Sequence, residues 1–279
     1  MLLNYSLQDA ERWAAFSGDY NPIHFDLQQA RKLGGERLTV HGMRAMLDMK
    51  RRLSEILLAD LPAADYFSFS ARLRQPVQCG VGYQLSVKSE AQRVSGKLFA
   101  TADGENCFTA KLAAAKPLNL ADGVTSQLMS RNVINELMEK FPGSPSDNTQ
   151  QWSFFDALLF QRIVTAPETL ETVRQIVPEI QAKTLIEVFA QIPVVQTHHD
   201  VHFSSRLLLD SAWLHNDEPL YYAILPTLTV GNKETGLVVR TELQCWTARQ
   251  PLIATAVTLK TLPLLSAAVM DNDEKNSDK

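Results

Sequence analysis

The chain has 279 residues, 45% of them hydrophobic, with a net charge of −4 and a pI near 5.9. That charge balance leaves no basic footprint for nucleic acid, and no apolar run approaches the roughly 20 residues of a membrane span. Three widely spaced cysteines, Cys79, Cys107 and Cys245, argue against a disulfide framework or a cysteine zinc site.

The length suits two compact units better than one. Met1 to Trp13 shows no basic start followed by an apolar run, so no signal peptide is expected and a reducing cytoplasm fits. A first helix is expected from about Ser6, where Ser6 and Asp9 form a capping pair and Leu7, Ala10, Trp13 and Ala14 an apolar stripe; Gly18 stops it. Next comes "FSGDYNPIHFD", Phe16 to Asp26, a short segment with two carboxylates, an amide and an imidazole. Asn21-Pro22 forbids continued helix, because the residue before proline is pushed out of the α region. A short helix over Leu27 to Leu33 ends at Gly34-Gly35.

A long helix starts at His41-Gly42 and runs to Pro62, with Met46, Met49, Leu53, Ile56 and Leu57 at three- and four-residue steps. Strands with one buried face follow in "YFSFSARL" and "VGYQLSVK", then a hairpin turning at Asp103-Gly104. The order then repeats. An amphipathic helix is expected over 126–144, and a second long helical stretch opening at Thr165 with a capping box and interrupted by Pro178. Strands are expected in "HFSSRLLL", "LYYAILPTLTV", "GLVVRTELQCWT" and "LIATAVTLKTL". "FSARL" (69–73) facing "FSSRL" (203–207), and Phe16–Gly18 facing Phe141–Gly143, suggest two diverged copies of one unit.

The motif "FSGDYNPIHFD", followed by Ala30 and by "HGM" at 41–43, closely resembles the hydratase-2 signature of MaoC-like dehydratases and (R)-specific enoyl-CoA hydratases. "RLRQPVQCGVG" resembles a second feature of that family, with Arg72, Pro76, Val77 and Gly80 in place, Cys79 for the usual Pro and Val81 for the usual Asp. The resemblance covers residues 1–115; beyond them it rests on element order. It implies an α+β double hot dog, each half a long helix wrapped by an antiparallel sheet. The domains expected are 1–120 carrying the motif, 124–266 as a degenerate copy, and a disordered tail at 267–279. Opposite "GDYNPIH" the second copy has about "GSPSDNT", which puts Ser144 opposite Asp19 and Thr149 opposite His24, so one working site per chain is expected. In eukaryotic double-hot-dog hydratases the active copy resembles the C-terminal half; here it is the N-terminal one.

The resemblance implies an (R)-specific enoyl-thioester hydratase or 3-hydroxyacyl-thioester dehydratase. Asp19 and His24 would transfer protons, Asn21 would position the turn through an Asx-type bond, and the backbone N–H near Gly42 would serve as oxyanion donor at the head of the long helix. His41 and Met43 fall beside the substrate, His41 also as a helix-start hydrogen-bonder and Met43 also as core. No metal or cofactor is needed; CoA or phosphopantetheine comes with the substrate, so the partners expected are acyl-CoA or acyl-carrier protein. A homodimer is compatible with this reading. Outside the motif, His198, Asp200 and His202 in "HHDVH" share one face of a strand, as metal ligands do, without an apparent fourth ligand. "KRR" (50–52) reads as a solvated helix face, and Asp26 as a local cap. A hot-dog thioesterase using Asp48 or Glu55, or a silent acyl-binding scaffold, are the rival readings.

Overall fold

The computed structural model describes residues 1–32, 34–60, 63–90, 92–210 and 218–263. The first half runs β1 (Leu2–Asn4), α1 (Leu7–Ser17), a 3-10 turn (Pro22–His24), α2 (Leu27–Lys32), β2 (Thr39–Val40), α3 (Gly42–Ala59), β3 (Tyr66–Leu73), β4 (Val77–Gln78), β5 (Gly82–Glu90), β6 (Arg93–Ala100) and β7 (Asn106–Ala115). The second runs β8 (Gln127–Met129), α4 (Arg131–Lys140), α5 (Asn148–Thr165), α6 (Pro167–Ile176), α7 (Leu185–Gln191), β9 (Val194–Ser204), α8 (Arg206–Leu209), β10 (Leu220–Ile224), β11 (Leu228–Asn232), β12 (Gly236–Thr247) and β13 (Pro251–Thr261).

Among the described residues eleven strands form one antiparallel sheet, ordered β1-β5-β6-β7-β3-β9-β13-β12-β10-β8 with β11 on β12. The halves join at its centre, where β3 pairs with β9 from Tyr66 opposite Ser204 to Arg72 opposite His198. The long helices α3 and α5 lie together against one face, their buried side chains continuous with those of β3, β7, β9 and β13. The fold is a double hot dog.

Sequence pattern accounts for most of these elements. Ser6 and Asp9 form the capping box of α1, Gly18 ends it in the left-handed region (φ 74°), and Trp13 and Ala14 are fully buried. Leu7, counted in the stripe, is exposed. On β3 the alternation is obeyed, with Phe67, Phe69 and Ala71 buried.

Several expectations of the second half are corrected. Residues 127–129 of the expected 126–144 helix are strand β8, because their backbone pairs with β10. The second long helix is α5, and it ends at Thr165 where a helix was expected to begin; the N-cap of α6 is Ala166, which has no side-chain oxygen to cap with. Every residue of α5 from Gln151 to Phe160 is buried, so it has no polar face and no 3.6-residue stripe to read. "HFSSRLLL" is the end of β9 followed by α8, so its likeness to "FSARL" does not mark equivalent positions. "LYYAILPTLTV" is two strands broken around Pro226. Only residues 141–147 separate α4 from α5, against 18–41 between α1 and α3. "GSPSDNT" is therefore no counterpart of the motif: it leads straight into α5, where Asp147 caps the helix by accepting from the Thr149 N–H. What the second half has instead is the α6–α7 pair, with its own small apolar cluster around Ala182 and Val188. The tail expected at 267–279 lies outside the described residues.

Candidate active site

The motif forms an overhang between α1 and α3. The left-handed turn at Gly18 throws the chain off α1, and the Asp19 N–H donates to Ser17 Oγ (3.1 Å). The Asn21 N–H donates to Asp19 Oδ1 (3.2 Å), and Asn21 Oδ1 accepts from the Ile23 N–H (3.3 Å), an Asx turn that opens the 3-10 turn with Pro22 at its first position. Proline thus starts a turn here as well as barring α-helix. Asp26 Oδ1 accepts from the Gln28 N–H at the start of α2.

Two imidazoles hold this overhang to the head of α3. His24 Nδ1–H donates to the Thr39 carbonyl (2.9 Å), with Thr39 Oγ1 at 3.0 Å. A carbonyl can only accept, so Nδ1 carries the proton and Nε2 the lone pair. Thr39 is in turn fixed by pairing of β2 with β4, Thr39 opposite Gln78 and Val40 opposite Val77. His41 Nε2–H donates to the Asp19 carbonyl (2.8 Å), and its ring stacks on that of His24 with centroids 3.6 Å apart. The ligand atoms of Asp19, His24 and His41 lie within 4.8 Å of one another. Such a trio could be asked to hold a metal, but stacked rings present faces rather than converging lone pairs, which suits proton exchange better than coordination.

Desolvation pushes the Asp19 carboxyl above its ordinary value, against the nearby His24 and the Asn21 N–H. Desolvation lowers His24 to about 3, with His41 adding to the effect, and lowers His41 to about 4. Both imidazoles are neutral at pH 7. Burial thus disfavours the charged form of both groups, the carboxylate of Asp19 and the imidazolium of His24, so the pair is biased toward its neutral forms.

His41 is the N-cap of α3 but its side chain does not cap, and its Nδ1 is buried with no partner among the described residues. The first backbone bond into the helix is from Ala45 to the His41 carbonyl, so the N–H groups of Gly42, Met43 and Arg44 find no acceptor among those residues. A buried helix start with free N–H groups favours an oxygen carrying negative charge. Gly42 is constrained by packing as well: a Cβ there would stand 2.6 Å from Leu73 Cδ2 and 3.3 Å from Gln196 Oε1. The space beside Gly42 is thus partly filled, by a residue of each half. Met43 belongs to the core.

The family model described as "MaoC like domain" matches residues 3–105. The match lies within the N-terminal half, which is similar to that domain over this stretch. Of curated relatives, "3-hydroxyacyl-[acyl-carrier-protein] dehydratase, mitochondrial" of Arabidopsis thaliana is 35% identical over 104 residues, 37% of this chain and 60% of that protein. The chain thus spans about 60% of the length of that relative. A solved structure titled "MaoC-like dehydratase" aligns over 94% of this chain and 95% of its own with a TM-score of 0.50 at 9% identity, a likeness of fold that extends through the second half. The dehydratase domain of PpsC from Mycobacterium tuberculosis in complex with C12:1-CoA aligns over 81% of this chain and 86% of its own, at 12% identity and a TM-score of 0.43.

The rival groups lie elsewhere. Asp48 accepts from Arg44 and the Tyr5 hydroxyl, and Glu55 from Arg52 on the outer side of α3. In "HHDVH", Asp200 accepts from Ser70 (2.7 Å) and Arg240 (2.8 Å), His202 Nε2–H donates to the Lys116 carbonyl, and His198 Nδ1 lies 3.1 Å from Thr197 Oγ1, so the three side chains serve separate partners. "KRR" is not a solvated run: Lys50 is fully buried and paired with Asp156 of α5, and only Arg51 and Arg52 face outward. Sequence reading also missed His199, whose Nε2–H donates to the same Asp156 (3.0 Å). No helix among the described residues is long and apolar enough to cross a membrane.

Proposed function

We propose that the chain adds water to 2-enoyl thioesters, or runs the same step backwards on (R)-3-hydroxyacyl thioesters, with CoA or an acyl-carrier protein as the acyl carrier. One observation carries the reading: Asp19, His24 and His41 within 4.8 Å of one another, beside uncapped N–H groups of α3. The match to a MaoC-like domain supports it, as does the name of the plant relative.

In hydration, a water between Asp19 and His24 Nε2 attacks Cβ while its proton passes to the pair, and the pair delivers a proton to Cα. Electrons from the Cα–Cβ double bond move onto the thioester carbonyl, whose oxygen meets the N–H groups at Gly42 and Met43. Losing such a donor typically costs about 3 kcal/mol of barrier. The CoA or phosphopantetheine arm enters with the substrate, and the proton bookkeeping closes without a further cofactor.

Crotonyl-CoA tests this directly. Its enoyl absorbance falls on hydration without release of free thiol; a thioesterase would release thiol, and a scaffold would do neither. Asp19→Asn and His24→Ala are each expected to lower kcat/KM by 10³-fold or more with unchanged circular dichroism. Substantial turnover in both variants overturns the assignment.

A further inference from the structure

We propose that Gln196, from the half that lacks the motif, is a side-chain hydrogen-bond donor to the thioester carbonyl, in addition to the backbone N–H groups of α3; this rests on the acyl-thioester reading above. Along β9 the odd-numbered residues face the helices: His199, Val201 and Phe203 are all buried. Strict alternation would continue with Thr197 and turn Gln196 outward. It does not continue. In the β9–β13 ladder His198 stands opposite Thr258 but Gln196 opposite Leu259, so Thr197 is an extra residue, held by its hydroxyl on the Thr258 carbonyl. A bulge of this kind reverses which side chains face inward and re-aims one of them. Here it turns Gln196 toward the head of α3.

Gln196 Oε1 lies 3.3 Å from where a Cβ on Gly42 would stand, and Nε2–H donates to Met43 Sδ at 3.7 Å. A thioether is a weak acceptor, so the amide is placed beside the free N–H groups of Gly42 and Met43 with its donor poorly used. A carbonyl oxygen acquiring enolate charge is a far better partner for Nε2–H than a thioether. The second half would then complete the site through one amide rather than serve only as scaffold.

The test replaces Gln196 by an isostere without a donor. In Gln196→Met, crotonyl-CoA hydration is expected to lose about 100-fold in kcat while KM stays within about threefold, the split that marks an interaction made mainly in the transition state. Carbonyl-labelled butyryl-CoA, which cannot react, gives an independent reading: its infrared carbonyl band should move to lower frequency on binding to the wild type and move back in part in the variant. A purely structural role would leave the bound carbonyl band unmoved between the two proteins. Wild-type kcat or an unchanged band in Gln196→Met overturns the proposal and leaves the hydratase reading standing. A wild type that neither hydrates crotonyl-CoA nor binds butyryl-CoA overturns both.

Discussion

At the scale of single residues, the site depends on two imidazoles kept neutral by burial. An ordinary histidine half-titrates near pH 6.5; His24 is held down to about 3 and His41 to about 4. The catalytic pH profile should therefore lack an imidazole limb near 6.5, and its acid limb should follow Asp19, which desolvation raises above the usual carboxylate value. Nitrogen-15 spectra of His24 and His41 recorded from pH 8 to 5.5 should show neutral rings throughout; titration of either near 6.5 contradicts the geometry. Stability carries the same signature. The unfolded imidazoles bind protons that the folded ones refuse, so between pH 6.5 and 5 each histidine withdraws about 2 kcal/mol as the pH falls. Asp19 acts in the opposite sense, because its folded form binds a proton more readily than its unfolded form. Urea unfolding at pH 7 and pH 5 measures the sum. His24→Ala should flatten the dependence, and an undiminished slope in that variant would remove His24 as its source.

At the scale of elements, α3 and α5 are clamped by a buried ion pair. Asp156 accepts from Lys50, from His199 Nε2–H and from Thr255 Oγ1–H (2.8 Å), and all four residues are fully buried. Burial opposes ionisation of Asp156, yet His199 and Lys50 overcome it and hold its carboxyl below the ordinary range. The Lys50 ammonium also lies 5.4 Å from the Phe69 ring centroid and 5.6 Å from that of Trp152. Removing one member of such a pair leaves an uncompensated charge and typically costs about 3–5 kcal/mol, whereas replacing both by apolar groups is often neutral. Asp156→Leu should thus lower the urea midpoint sharply, and Lys50→Met/Asp156→Leu should recover the part due to the uncompensated charge, the rest reflecting the His199 and Thr255 donors left unpaired. A double variant no better than the single one would refute the clamp. This network also marks where reading the sequence ran short. The overhang is legible because its causes are local: a left-handed glycine, an Asx turn and a proline within a few residues. The amphipathic α3 is legible from its stripe. Helix α5 is not, since ten consecutive buried residues leave no polar face, and Lys50 within "KRR" gives no sign that its partner lies 106 positions away. The bulge that turns Gln196 inward depends on the register of β9 against β13, which only the paired strands define.

At the scale of the whole molecule, the halves are unequal and mutually dependent. The first holds the motif; the second contributes α5, the central strand β9 and Gln196. Without the second half, β3 would expose the backbone edge it shares with β9 from Tyr66 to Arg72, and α3 would expose Lys50 and Ser54, which pair with Asp156 and Trp152. An unpaired strand of that length beside an uncovered apolar face is a template for aggregation. Residues 1–122 expressed alone should therefore be insoluble or self-associated and inactive, although they contain every residue of the Asp19–His24 couple. Co-expression with residues 123–279 as a separate chain should restore solubility, because the interface is a continuous sheet plus two packed helices rather than a tether. Size-exclusion chromatography and crotonyl-CoA turnover of the two preparations decide the matter. A soluble, monomeric and active 1–122 would mean that neither the central β3–β9 ladder nor Gln196 is needed.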